Sequence, residues 1–329
     1  MGATERALFE GGVRRATEAN DGAALDSALR EVGWRDALAV DRPTAVSVLF
    51  EAQGATTTTS AALDWLLATA LGVGDGAGVD GTGVDGAEVG VVLPSLGRGD
   101  APGRLDGDWC VVEGLGTAAL GRGDTALVVA QTPDGAATFA VDLGLLTRRP
   151  VQGLDPALGL FEVVGEFETA WAAQPTAADW PAAAALGQLA LGHELVGAGR
   201  TMLELARTHA LERVQFGRPI GSFQAVRHRL AESLVALEAA AALLDAAWED
   251  PSPVTAAMAK AFAGRSARTV ARHCQQVLAG IGFTTEHPLH RSVRRTIALD
   301  QLLGSGGALT RTLGADILSS LTLPAAFPL

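Results

Sequence analysis

The spacing of apolar residues divides the chain into three regimes. From residue 1 to about 72 they recur at helical intervals. Ala24 and Leu25 lead to Ala28, Leu29 and Val32 on one face, and Gly33 closes that helix. Pro43 stands just inside the next helix start, followed by Val46, Leu49, Phe50 and Gln53, with Gly54 as the expected stop. A Thr-rich link, Thr56 to Thr59, leads into a further run of Ala62, Leu63, Leu66, Leu67 and Ala70. Gly72 to Gly86 is rich in glycine, without a G-x-G-x-x-G pattern entering a helix, and predicts a linker. From Ala87 to about Val164 the period moves towards two. Short β-type runs at Val89–Leu93, Trp109–Glu113, Ala126–Ala130 and Thr138–Val141 are separated by turns at Gly107-Asp108, Arg122-Gly123-Asp124 and Pro133-Asp134-Gly135. That spacing predicts a small antiparallel barrel or sandwich. From about Pro181 the pattern is helical to the end. Val226, Leu230, Leu234, Leu237, Ala241, Leu244 and Trp248 step by three and four. Met258, Phe262 and Val270 open the next helix, and Val293, Ile297 and Leu302 mark one after Pro288. The fold class is therefore α+β, mostly α: a helical segment with its linker over residues 1–86, a reduced β-domain over 87–175, and a four-helix bundle over 176–329.

Composition narrows the picture. A chain of 329 residues with 48% hydrophobic and 19% charged residues reads as an ordinary globular protein of more than one domain. No run of about 18 apolar residues is free of charge and glycine, so a membrane span is not expected. Met1 to Asn20 has charges of both signs and no apolar core of signal type, so a cytoplasmic location is expected, with Cys110 and Cys274 as reduced thiols. No metal-ligand spacing is present. The net charge of −12 argues against general nucleic-acid binding. It is unevenly spread, however. Arg200 to Arg311 holds 14 basic and 9 acidic residues, net +5, so the remainder is −17. A basic patch in an acidic chain suits a small polyanion, although many of these arginines are also accounted for by solvated helix faces.

Two polar turns carry the candidate chemistry. Arg213-Val214-Gln215-Phe216-Gly217, continuing to Gln224, lies between two long helical runs, and Gly217, Pro219 and Gly221 break the helix there. An arginine, an aromatic ring and two glutamines are thus placed on a corner that a free-standing bundle does not need. Further on, Gln276-Val277-Leu278-Ala279-Gly280-Ile281-Gly282-Phe283 ends a helix with small residues, where a backbone or a phosphate can approach closely. Taken alone, this second turn is equally an ordinary helix C-cap.

Together with the helical, β, helical order, the two turns resemble the acyl-CoA dehydrogenase family. Its bundle carries an R-x-x-F-G corner with a glutamine eight residues beyond the Phe, then a Q-x-x-G-G-x-G-F turn. Here they stand as Arg213 to Gly217 with Gln224, and as Gln276 to Phe283 with Ala279 in the first glycine's place. The resemblance is strong over residues 186–312. Gly33-Trp34 and Phe50-Glu51-Ala52-Gln53-Gly54 extend it to the N-terminal helices. It implies FAD shared across a subunit interface, with this corner serving the ADP half. Arg213 would meet the pyrophosphate, Phe216 and Ile220 would line the adenosine side, and Gln224, Gln276 and the Gly280 backbone would supply hydrogen bonds.

The departures are as informative. The family's base, a glutamate that removes a Cα proton, precedes a Gly-Thr on the last helices; Leu303 stands there, and leucine accepts no proton. Some members place the base on the first bundle helix, at a position aligning with Gly187; Glu194 and Glu204 lie at least a turn away. The segment expected to hold flavin and thioester matches only as Val92-Leu93-Pro94-Ser95-Leu96-Gly97-Arg98-Gly99-Asp100, and the strand backing the flavin only as Val112-Glu113-Gly114 and Gly116-Thr117. The resemblance therefore implies the non-catalytic subunit of a heteromeric (α2β2) acyl-CoA dehydrogenase of the actinobacterial steroid side-chain type. A catalytic partner subunit would bind most of the acyl-CoA, and electrons would pass to an electron-transferring flavoprotein. Two alternatives stay open at this point: a self-sufficient homo-oligomer using a displaced base such as Glu194 or Glu204, and a flavin-free scaffold subunit.

Overall fold

A computed structural model describes residues 1–73, 89–173 and 175–321. Most of the expected glycine linker, from Gly74 to Gly86, and the boundary at residue 86 lie outside the described residues. Among the described residues five helices form the first layer: α1 (Ala3–Ala19), α2 (Ala23–Val32), α3 (Trp34–Val40), α4 (Arg42–Thr56) and α5 (Ala62–Ala70). Gly33 caps α2 in the left-handed conformation at φ 74, and Asp41 caps α4 through the Thr44 amide with Pro43 in its first turn. The stop expected at Gly54 is not there: α4 runs on to Thr56. Gly54 is needed for packing instead. A Cβ on it would run into the carbonyl oxygen of Glu194, and a Cβ on Gly197 would run into that of Glu51. The two glycines let α4 lie backbone against backbone on the first bundle helix.

The middle of the chain forms one nine-stranded sheet: β1 (Gly90–Val91), β2 (Leu93–Pro94), β3 (Gly103–Asp106), β4 (Trp109–Gly116), β5 (Thr125–Thr132), β6 (Gly135–Asp142), β7 (Thr147–Pro150), β8 (Phe161–Glu168) and β9 (Thr176–Ala177). The order is β7-β8-β4-β3-β5-β6-β9, with β1 added on β5 and β2 on β4. The sheet is mixed, not purely antiparallel, because β1 and β3 both run parallel to β5. Alternation reports which face a side chain takes and carries nothing about the direction of the neighbouring strand. Along β5 the alternation is complete: Ala126, Val128 and Ala130 enter a core within the sheet, while Leu127 and Val129 join the core shared with the helices. Phe139 on β6 and Phe167 on β8 stack edge to face at 6.0 Å although three strands separate them in the sheet. Flat strands spaced about 4.8 Å apart could not bring them together, so the sheet is rolled around its inner core.

The third layer is helical. It holds α6 (Trp180–Glu212), α7 (Gln224–Glu249), α8 (Pro253–Leu278), α9 (Leu289–Gln301) and α10 (Gly306–Ser320). Between α6 and α7 lies a two-stranded hairpin, β10 (Val214–Gln215) and β11 (Arg218–Pro219). Helices α6 to α9 pack as the expected bundle, whereas α10 buries only Gly306. Arg295 of α9 ties the layers together. Its guanidinium, fully buried, donates to Asp155 Oδ2 at 2.6 Å, to Glu194 Oε1 at 3.2 Å and to the carbonyls of Thr57 and Thr58 at 2.9 Å each. Asp64 of α5 accepts from the Val91 amide at 2.9 Å and from Thr117 at 2.7 Å, fixing the sheet to the first layer. No helix among the described residues is long and apolar enough to cross a membrane.

Candidate functional site

The corner between α6 and α7 is built as a tight hairpin. Val214 pairs with Pro219 and Gln215 with Arg218, leaving Phe216 at φ 54 and Gly217 at φ 77 as the turn residues. Left-handed backbone is natural for glycine and strained for phenylalanine. The Phe216 ring is 92% exposed, held edge to face against Phe223 at 6.1 Å, and Arg218 stacks over the other ring at 4.3 Å. An aromatic side chain fixed in water by a strained backbone is a surface kept for something to cover. Arg213 caps α6 through its amide on the His209 carbonyl at 2.9 Å, and its own carbonyl accepts the Ile220 amide at 2.8 Å. Its guanidinium is exposed and makes no ion pair among the described residues. Gln224, the first residue of α7, is exposed as well. Ile220, unlike Arg213, Phe216 and Gln224, is half-buried, and it packs on the bundle core that holds Ala210, Val277 and Leu278.

That core places the second turn at the same end of the bundle. Gln276 is exposed in the last turn of α8, and Gly280 follows in a 3-10 turn where a Cβ would have no neighbour within 4 Å. Ala279, where the pattern calls for glycine, sits at φ 53 and ψ −135. His287, just beyond, has its pKa lowered by burial and by His209 on α6, a turn before the corner. Arg213, Phe216, Gln224, Gln276 and Gly280 thus form an exposed, basic and backbone-accessible end of the bundle.

The opposite candidate, the elbow between α9 and α10, is closed. Leu303 lies fully buried at φ 52, followed by Gly304 at φ 95. A Cβ on Gly187 would clash with the Leu303 side chain and would stand 3.2 Å from Leu67. The two positions at which a base was sought therefore meet at one point, and leucine fills it. Three carbonyls at the elbow are held by buried side chains: Leu303 by Gln188 Nε2 at 3.0 Å, Asp300 by the buried Lys260 ammonium at 3.0 Å, Gly304 by the same ammonium. The loop that should line a flavin and a thioester is bonded to this elbow through the Gly97 amide, which donates to the Gln301 carbonyl at 2.8 Å, and its Gly99 carbonyl accepts the indole N–H of Trp180 at the start of α6 at 2.9 Å. Thr117 is turned inward to Asp64.

The displaced bases are no better placed. Burial pushes the Glu194 carboxyl up to about 7 against the pull of Arg295, but that carboxyl is locked to the guanidinium inside the protein. Glu204 is on the surface, gripped by Arg207 at 2.7 and 2.8 Å, and that hydrogen bonding lowers its pKa. Sequence reasoning missed Lys260, Gln188 and Arg295; a lone lysine on an apolar helix face was the one visible signal. Among the described residues no cluster of three or more His, Cys, Asp or Glu is arranged to hold a metal.

Residues 182–318 match the family model described as acyl-CoA dehydrogenase, C-terminal domain. The chain is 32% identical over 262 residues to the acyl-CoA dehydrogenase IpdE2 of Mycobacterium tuberculosis, covering 73% of this chain and 80% of that one. Among solved structures it superposes on the Tcur3481-Tcur3483 steroid ACAD with a TM-score of 0.77 at 23% identity, over 97% of this chain and 99% of the other. It superposes on a chain of the ChsE4-ChsE5 complex from Mycobacterium tuberculosis with a TM-score of 0.73 at 22% identity, over 99% of each. At those identities the two structures speak for the fold.

Proposed function

Because the chain belongs to the acyl-CoA dehydrogenase family, we propose that it is the non-catalytic subunit of a heteromeric, FAD-dependent member, lending its corner to a flavin held by a catalytic partner. One observation carries this reading: the corner is open and cationic while the elbow is plugged by Leu303 against Gly187. The residues of the corner fit a dinucleotide phosphate. The Arg213 guanidinium is free to take a bidentate phosphate, Gly217 and Gly280 leave their backbones approachable, and Gln224 and Gln276 offer donors and acceptors. Phe216, held edge to face against Phe223, is available to cover an adenine face, and Ile220 anchors the corner on the bundle core. The chain's own sheet fits the flavin ring poorly, since Gly97 and Gly99 are already bonded to the elbow and to Trp180.

When bound, FAD supplies the hydride acceptor for α,β-dehydrogenation of a CoA thioester. This chain supplies grip and orientation, and the base that takes the Cα proton comes from the partner. An α2β2 assembly, a steroid side-chain thioester and an electron-transferring flavoprotein as acceptor complete the reading. The two-component complex named for one structural relative supports a partner subunit, and the steroid dehydrogenase named for the other supports a steroid substrate. The rival reading, a self-sufficient enzyme, needs a carboxylate over the substrate. Glu194 is locked to Arg295, and Glu204 is bound to Arg207 at the surface.

The test is FAD content of the complex purified with its partner. Arg213→Ala in this chain removes a charge-assisted pair worth on the order of 2 kcal/mol, so FAD should dissociate roughly thirtyfold more readily. Unchanged FAD retention in the variant complex would rule out the cofactor role. A yellow, substrate-bleached preparation of this chain alone would rule out the dependence on a partner.

A further inference from the structure

A groove of about 650 Å³ runs between α10 and the pair α7–α8, away from both turns of the candidate site. Its walls are the half-buried side chains of Leu243, Met258, Phe262, Leu313 and Ile317. It exists because the helix face turned towards it lacks bulk: Gly307 and Gly314, two turns apart on α10, each leave open space where a Cβ would stand. This explains why a helix of fifteen residues buries only its first glycine. The size lies within the range of about 300–1000 Å³ usual for small-molecule sites.

The groove has one charged end. Arg265 projects from α8 over the Phe262 ring at 5.0 Å, exposed and without an ion-pair partner among the described residues. Arg268, one turn further, is already bound to Asp300 and so is committed to the elbow. An apolar lane ending in one uncommitted guanidinium matches an apolar body ending in one carboxylate, because the fork of arginine pairs bidentately with that group. Among the described residues no charged side chain besides Arg265 and Arg268 lines the groove, so a dianion or a bulky phosphate would find a single uncommitted counter-charge.

We propose that this groove binds a long-chain or polycyclic monocarboxylic acid, its hydrocarbon body between α8 and α10 and its carboxylate on Arg265. The site is independent of the corner that would serve the flavin. Binding would stiffen α10 by giving Leu313 and Ile317 the apolar neighbour that the glycines withhold.

Fluorescence titration of the full chain with cis-parinaric acid tests the proposal. Saturable uptake at one site per chain is expected, displaced by palmitate, and displaced at least about tenfold less well by cetyl alcohol, which lacks the charge. Arg265→Gln should weaken the fatty acid by a similar factor and leave the alcohol unchanged. Gly314→Leu should abolish both by filling the lane. Leucine in place of a helix glycine with open space at its Cβ favours the helix, so a retained thermal transition separates a filled site from a misfolded chain. Unsaturable uptake, equal affinity for acid and alcohol, or binding unaltered in both variants would overturn the assignment. So would a change of sedimentation coefficient in Gly314→Leu without any probe binding to the parent, since the groove would then be a seam between chains.

Discussion

Ala279 carries backbone strain that its methyl group creates. At φ 53 and ψ −135 a Cβ crowds the neighbouring peptide, and glycine is the residue that takes this conformation freely. Strain of this kind costs about 1–3 kcal/mol. Ala279→Gly should therefore raise stability by about 1 kcal/mol after the entropy of the freer unfolded chain is deducted. A urea midpoint shifted upwards at unchanged slope would show it; a lowered midpoint would mean that the turn is not strained. At this scale the sequence was informative, because the family pattern marks position 279 as a glycine that is missing. It was equally direct about Leu303, whose side chain cannot take a proton wherever it lies. What it withheld was proximity: nothing in the chain says that Leu303 fills the space beside Gly187, since the contact joins two helices far apart in sequence.

Between elements, the decisive contact is the crossing of α4 and α6. Gly54 and Gly197 bring the two backbones together, and His193, buried beside them, holds Glu51 at 3.1 Å and accepts the Trp248 indole at 3.1 Å. Gly197→Ala should push the helices apart and cost roughly 3 kcal/mol, the upper part of the range for overpacking, because the obstacle is backbone. Gly192→Ala, whose Cβ would meet only the Leu244 side chain, should cost clearly less. Comparable losses in denaturant midpoint for the two variants would refute the close crossing. Here periodicity misled: a glycine at the end of an apolar run reads as a stop, and the tertiary contact that keeps it inside the helix leaves no local trace. The stripe from Val226 to Trp248 was legible as a helix, and α7 spans Gln224–Glu249 accordingly, but it is not buried throughout, since Leu234 is exposed. Strand β8, Phe161–Glu168, was not, since Gly165 interrupts its alternation where Leu146 crosses it. The corner was read as a turn, but its hairpin depends on positive φ at Phe216, which no propensity favours.

The whole molecule is held by ionisable groups that burial makes costly, and this gives its stability a distinctive pH dependence. Desolvation raises Asp64 from 3.8 to about 6 and Glu194 from 4.5 to about 7, and lowers Lys260 from 10.5 to about 7. For the two acids the folded pKa exceeds the unfolded one. Their contribution is fully present below about pH 4 and is lost as pH rises through 6 and 7. For Lys260 the folded pKa is the lower one, so its contribution is present above about pH 10.5 and is lost as pH falls towards 7. All three are least favourable near neutrality. Each does structural work there: Asp64 fixes the sheet to α5, Glu194 helps to hold Arg295, and Lys260 collects the carbonyls of the plugged elbow. Glu194→Gln keeps an oxygen that can accept from Arg295 and removes the proton linkage. Between about pH 5 and 7 the variant should lose less stability than the parent, by on the order of 2 kcal/mol. Denaturant midpoints measured across that interval test it. Parallel curves for parent and variant would mean that Glu194 stays ionised throughout, with Arg295 overcoming the cost of its burial.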